Sequence, residues 1–306
     1  MPDCGANLLV KNNIPARKEI VNEIDSASRV ATGTLLERDQ LKAALPRIIA
    51  HRGASAAAPE NTIAAFAEAV RVSADGIEMD VRLAADGVPV VIHDSTLNRT
   101  GQIGGKIRQL TSSELARCDV GKWFRVKANR QNCRTFDGEV VPTLNGALKF
   151  LKDYRGLIYL ELKCRDSELT RLVRAVCELV CDLEQKENII IKSFRFAAIP
   201  LVKAICPEIR TAALFAPQIS NIFRKDKHLV RLANEIGAEE VSIHYTLATR
   251  KLLKNAARRG LPVTIWTTDS GRILNRAIRL GITGIITNDP EKMIARRNAA
   301  LSSARC

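Results

Sequence analysis

The sequence predicts an α/β fold, a (β/α)8 TIM barrel with a small insertion after an early β-hairpin and a helical N-terminal extension. Three observations carry this. Short apolar segments recur from Ile48 onward, and helical stretches of ten or more residues separate most of them. The stretch 48–293 also has the roughly 250-residue span of an eight-stranded barrel.

Residues 1–46 come first and read as an extension. Helical periodicity around Ile20, Ile24 and Leu35–Leu45 suits it to cap a barrel end or to mediate self-association, so a homo-oligomer is an expected partner state. The barrel then occupies 47–293, and 294–306 form a C-terminal tail. Predicted strands lie at 48–51, 76–81, 88–92, 157–162, 188–193, 209–214, 239–243, 261–266 and 284–287. Helical stretches such as TIAAFAEAV, ELTRLVRAVCELV, RKLLKNAARRG and RILNRAIRLG fall between them.

That is one strand too many for an eight-stranded barrel. The second and third are separated by only a few residues, whereas a parallel crossover takes about a dozen. They therefore pair as a hairpin turning at Asp86-Gly87. A doubly wound sheet is the rival fold, but HRGASAAAPENT after the first strand is neither a G-x-G-x-x-G nor a Walker sequence. The segment 95–156, with Gly101, Gly104, Gly105 and the stretch GKWFRVKANR, breaks the rhythm and reads as an insertion over one barrel end.

The formal charge of +14 suits anionic partners. Aromatics make up only 4% of the chain and the basic residues are dispersed, so no nucleic-acid partner is expected. No apolar run reaches membrane-spanning length, so no stable membrane insertion is expected. The opening MPDCGANLLVKN lacks the features of a secretory signal, and the eight cysteines are irregularly spaced. A cytoplasmic protein with reduced thiols is the simplest expectation.

The chemistry sits at the strand ends. Glu78 and Asp80 in GIEMDV are two apart and share one face of their strand. Glu161 and Lys163 in YLELK repeat the arrangement, His51 closes the first strand and His93 closes the hairpin arm. Converging carboxylates repel unless a cation sits among them, and hard divalent ions such as Mg2+ or Ca2+ take oxygen ligands. Glu78, Asp80 and Glu161 are therefore the candidate metal ligands. A purely structural network with Arg52, Arg82 and Lys163 is the alternative, disfavoured because burying so many charges is costly.

His51 and His93 are the acid–base candidates, since imidazole titrates near neutrality. Arg52 and Lys163 suit the non-bridging oxygens of a phosphate. His244, Phe194 and Trp266 are candidate pocket-lining residues. Asn61 is expected to order the loop beside the site, and Glu60 to act as a first-turn acid of the helix that follows.

These pieces resemble the glycerophosphodiester phosphodiesterase family. The matching stretches are HRG at 51–53, PENT at 59–62, EMDV at 78–81, DGVPVVIHD at 86–94, TLNRTG at 96–101 and VPTL at 141–144. ELK at 161–163, SF at 193–194, VTIWT at 263–267 and GIITNDP at 284–290 complete the ordered set.

The resemblance implies a phospholipase-C-like barrel that hydrolyses a small-molecule glycerophosphodiester to an alcohol and sn-glycerol 3-phosphate. It makes His51 and His93 the acid–base pair, Glu78, Asp80 and Glu161 the ligands of the divalent metal, and Arg52 and Lys163 phosphate-binding. The attacking group is water or the substrate's own glycerol 2-hydroxyl. Lys122, Arg125, Lys127, Arg130 and Arg134 in the insertion favour a substrate with extra negative charge. A lysophospholipase D and a non-catalytic phosphate-ligand-binding barrel are the alternatives. One departure stands out: the family commonly has W-T-V-N where this chain has Trp266-Thr267-Thr268-Asp269, which bears on substrate preference.

Overall fold

Runs of β-branched and leucine residues such as RIIAH, LIYLEL, IIIKS and GIIT form strands buried on both faces, as parallel barrel strands must be. The computed structural model describes residues 45–124, 126–128, 132–217 and 226–303. Almost all of the N-terminal extension therefore lies outside the described residues.

Eight parallel strands close on one another: β1 (Arg47–His51), β2 (Gly76–Leu83), β6 (Leu157–Leu162), β7 (Ile189–Ser193), β8 (Arg210–Phe215), β9 (Glu240–His244), β10 (Val263–Trp266) and β11 (Gly284–Thr287). Closure comes from β1, which pairs with β11 on one side and with β2 on the other. The ninth strand, β3 (Pro89–Val91), pairs antiparallel with β2 through Val81 opposite Val91. This is the expected hairpin, and Gly87 at its turn takes a φ of 83°. A small antiparallel pair, β4 (Val126–Ala128) and β5 (Asn132–Arg134), lies in the insertion.

Helices α1 (Ile63–Arg71), α3 (Leu144–Phe150) and α7 (Arg250–Ala257) each start at a threonine, Thr62, Thr143 and Thr249, whose hydroxyl accepts a backbone N–H two or three residues into the helix. The four-residue α2 (Ser112–Leu115) lies in the insertion. Around the barrel run α4 (Leu169–Val180), α5 (Ala198–Ile205), α6 (Asp226–Glu235) and α8 (Gly271–Leu280). Their apolar stripes pack on the outer faces of the strands, for example Leu172, Val173 and Val176 of α4 with Leu160 and Ile191. The last helix, α9 (Pro290–Ser303), continues well past the 293 boundary read from the sequence.

Inside the barrel Ile49, Leu157, Tyr159, Ile190, Ala212 and Ile286 form a small apolar plug. The insertion brings its own core, with Leu97, Ile107 and Leu115 packed against Val90 and Ile92 of the hairpin arm. Phe124 packs apart from that core, in a separate cluster with Ala58, Ala65 and Phe136. The indole of Trp123 donates to the carbonyl of Val120, and Phe124 meets Phe136 edge to face.

The structure corrects the thiol reading, because Cys181 and Cys206 form a disulfide. The two are 25 residues apart in sequence, and only the packing of α4 beside α5 brings their Cα atoms to 5.9 Å. No helix among the described residues is long and apolar enough to cross a membrane.

Candidate active site

Register sets the site. Asp80 of β2 lies opposite Glu161 of β6, Glu161 lies opposite Lys192 of β7, and His51 of β1 lies opposite Glu78. Four charged side chains thus meet above the apolar plug. One ligand oxygen from each of Glu78, Asp80 and Glu161 lies within 4.8 Å of the others, and all three residues are buried.

Lys192 is the surprise, at 2% exposure with its Nζ 2.9 Å from Glu78 Oε1 and 3.5 Å from Glu161 Oε2. Lys163 Nζ contacts Glu161 and lies 3.4 Å from Asp80 Oδ1. Burial by itself would push both β2 carboxyls up. Lys192 overcomes this at Glu78, while Lys163 and Arg52 overcome it at Asp80, holding both below the usual carboxylate range. Burial would likewise lower the Lys192 ammonium, but Glu78 and Glu161 hold it above its ordinary value.

Do these residues fit a metal? Glu78 Oε1, Asp80 Oδ1 and Glu161 Oε1 are buried, and each faces a lysine ammonium at ion-pair distance and no other partner among the described residues. Three clustered hard oxygen donors with spare coordinating capacity suit a divalent cation. The cluster can hold one.

The loop after β1 is shaped for the site. Arg52 and Asn61 adopt left-handed backbone, with φ of 58° and 59°. Gly53 does so too, and a Cβ there would come within 2.6 Å of Ala65, which explains the glycine of HRG. In this conformation the Arg52 backbone N–H donates to Glu78 Oε2 at 3.0 Å. Asn61 holds Asp80 twice, donating from Nδ2 to Oδ2 at 2.9 Å and accepting from the Asp80 N–H at 3.1 Å.

The Glu60 expectation needs correcting. Thr62 is the N-cap of α1, so Glu60 precedes the helix, and its carboxylate accepts from Arg52 Nη1 at 2.8 Å and from both Arg99 Nη atoms. Arg52 is itself held between Glu60 and Asp80, its Nε 3.1 Å from Asp80 Oδ2.

The two histidines are oriented differently. Asn288 Nδ2 donates to Asp269 at 3.1 Å, which turns Asn288 Oδ1 toward the ring of His51. His51 Nδ1 therefore carries the proton and donates at 2.7 Å. His93 Nδ1 donates to the Asp94 carboxylate at 2.7 Å, and Asp94 is held in turn by Arg99 Nε at 2.7 Å. The hairpin sets the height of His93, because the preceding Ile92 N–H donates to the carbonyl of Asp80. Neither Nε2 has a hydrogen-bond partner among the described residues.

Phe194, Trp266 and His244 come together as an aromatic wall. Trp266 meets Phe194 at 5.6 Å and His244 at 5.4 Å between ring centroids, both edge to face, and Lys163 Nζ sits 5.8 Å from the Phe194 centroid. Burial lowers the His244 ring below its ordinary value.

The model of the glycerophosphoryl diester phosphodiesterase family matches residues 51–292. The chain belongs to the glycerophosphoryl diester phosphodiesterase family. The Bacillus subtilis protein YhdW is 34% identical over 247 residues, which is 81% of this chain and 96% of that one. The glycerophosphodiester phosphodiesterase of Caldanaerobacter subterraneus subsp. tengcongensis is 32% identical over 249 residues, covering 81% and 96%. A solved Oleispira antarctica phosphodiesterase, in complex with the product sn-glycerol-3-phosphate, superposes with a TM-score of 0.71 at 25% identity, over 83% of this chain and 97% of that one. The present family member is accordingly a phosphodiester hydrolase on a (β/α)8 barrel.

Sequence reasoning gave no role to Lys192, Asp94 or Arg99, and did not connect Asp269 and Asn288 to His51. Lys192 had a readable signal, a lysine inside the otherwise apolar strand IIIKS. Asp269, the departure from W-T-V-N, is engaged by the last barrel strand and the residue after it. Its carboxylate accepts from Thr287 Oγ1 and from the N–H and Nδ2 of Asn288, fixing the partner of His51. Lys122 is exposed beside Asp119, while Arg125 and Arg130, and the side chains of Lys127 and Arg134, lie outside the described residues.

Proposed function

We propose that this phosphodiesterase hydrolyses small glycerophosphodiesters to an alcohol and sn-glycerol 3-phosphate, with His51 as general base and His93 as general acid. The observation that carries the reading is the pair of imidazoles beside three clustered carboxylates, each with Nδ1 engaged and Nε2 left for chemistry. The product bound to the Oleispira relative supports the choice of product.

The partners assign the roles. His51 leans on a neutral amide and is left with a basic Nε2, which takes the proton of the attacking hydroxyl. His93 leans on a carboxylate, which suits the ring that carries the extra proton and delivers it to the departing alcohol oxygen. One P–O bond forms to the attacking oxygen and one breaks to the alcohol, and the proton count balances between the two rings. The attacker is water or the glycerol 2-hydroxyl. In the second case a cyclic phosphate forms first and the rings exchange roles in its hydrolysis.

Glu78, Asp80 and Glu161 would hold Mg2+ or Ca2+, and a divalent ion there supplies charge stabilisation for the phosphoryl oxygens. Arg52 and Lys163 add positive charge at the same rim. The aromatic wall of Phe194, Trp266 and His244 bounds the space for the glycerol or headgroup.

The test is glycerol 3-phosphate release from glycerophosphocholine and glycerophosphoethanolamine, in EDTA and after adding Mg2+ or Ca2+. Metal-dependent release from the wild type, lost in His51→Ala and Glu78→Ala, is the expected result. No release by folded protein with either metal would sink the assignment.

A further inference from the structure

A cavity of about 280 Å3 adjoins the carboxylate cluster and shares Lys163 with it. It lies between the C-terminal ends of β2 and β6 and the start of the insertion. Arg82, Lys106, Arg108, Lys163 and Arg165 line it, with Glu168 as its one carboxylate, and Ser95 and Thr96 add hydroxyls.

The placement follows from the strands. Along β2 one face carries Glu78, Asp80 and Arg82 in turn, and after Glu161 the chain of β6 continues through Lys163 to Arg165. Carboxylates occupy the deeper level and cations the outer one. Arg82 spends its hydrogen bonds on backbone, donating from Nε to the carbonyl of His93 at 2.8 Å and from Nη1 to that of Lys163 at 3.4 Å. Among the described residues Arg82, Lys106, Arg108 and Arg165 form no ion pair. Glu168 is turned to its own helix start, accepting from the Arg165 N–H at 3.1 Å. A cavity with five cations and one engaged carboxylate is poised for an anion.

Arg82 also ties this cavity to the reacting centre, because it holds the backbone of His93, and Ser95 and Thr96 follow that residue within three positions. An anion seated here would lie on the His93 side of the site, the side from which the alcohol departs in the proposed mechanism. We propose that the cavity is an anion subsite for the leaving half of the substrate, so that the preferred diesters are those whose alcohol carries a second phosphate. This rests on the phosphodiesterase reading given above.

The test compares bis(glycerophospho)glycerol with glycerophosphoglycerol, in the wild type and in the double variant Lys106→Ala/Arg108→Ala. Both substituted side chains are exposed and neither belongs to the catalytic machinery. Turnover is measured with Mg2+, and binding by calorimetry in EDTA. The wild type should show a KM for the bis-diester ~10-fold lower than for glycerophosphoglycerol, the effect of about one charge-assisted hydrogen bond. The double variant should lose that preference while its kcat and its KM for glycerophosphoglycerol stay unchanged.

Equal KM values in the wild type, or an equal loss on both substrates in the variant, would overturn the subsite. So would inorganic phosphate binding as tightly as the bis-diester, since the cavity would then take free phosphate. If neither substrate turns over, the phosphodiesterase reading fails separately, and calorimetry still decides the cavity. Tighter bis-diester binding in the wild type, lost in the variant, supports it, and equal binding refutes it.

Discussion

Single side chains decide how the chemistry is held. Lys192 is a buried ammonium between two carboxylates, and removing one partner of such a cluster costs about 3 kcal/mol or more. Lys192→Met should therefore lower the melting temperature in EDTA. Added Mg2+ should then raise it further than in the wild type, because the metal replaces a lost positive charge. Equal metal-induced shifts in the two proteins would argue against this role. Asp269 acts at one remove, through Asn288. Burial would raise its carboxyl, but hydrogen bonds from Thr287 and Asn288 win and hold it below the usual aspartate range. A depressed carboxylate contributes stability above its unfolded value and loses it as pH falls through the folded one. Asp269→Asn should remove this acid-side loss of stability, seen as a flatter melting profile below pH 4. With His51 as the proposed general base, it should also reduce kcat by roughly 10–100-fold, the usual effect of altering a group that orients such a ring.

Among the elements, β2 does the most. All but one of its residues are buried, it closes the barrel against β1, and it presents Glu78, Asp80 and Arg82 on one face. Its hairpin partner β3 was legible because the few residues between the two strands cannot make a parallel crossover. The polar support of the histidines was not legible, since Asn288 lies 237 residues from His51 and nothing local marks the pair. The disulfide belongs to this scale as well. It joins the C-terminal ends of α4 and α5, which lie at the end of a (β/α)8 barrel opposite the active site. Closing a loop of this length contributes ~3 kcal/mol in the chain-entropy account. Cys206→Ser should lower the melting temperature while leaving kcat/KM at 25 °C unchanged, and a loss of activity in folded protein would contradict that separation.

For the whole molecule, the net charge of +14 acts as a field over a site built for anions. Raising the salt from 50 to 500 mM should lower kcat/KM for an anionic diester by at least ~3-fold, through KM rather than kcat. The sequence by itself determined the barrel, its hairpin, the catalytic candidates and the family. The first three rest on local periodicity and on charged residues at strand ends, and the family on an ordered set of short motifs, all of which a linear pattern records. Tertiary structure alone decided that Lys192 sits among the carboxylates, that Asp269 orients Asn288 against His51, and that Arg82, Lys106, Arg108 and Arg165 enclose one cavity with Lys163. These groups come from distant parts of the chain, and their meeting depends on strand register and barrel closure, which no short stretch of sequence encodes.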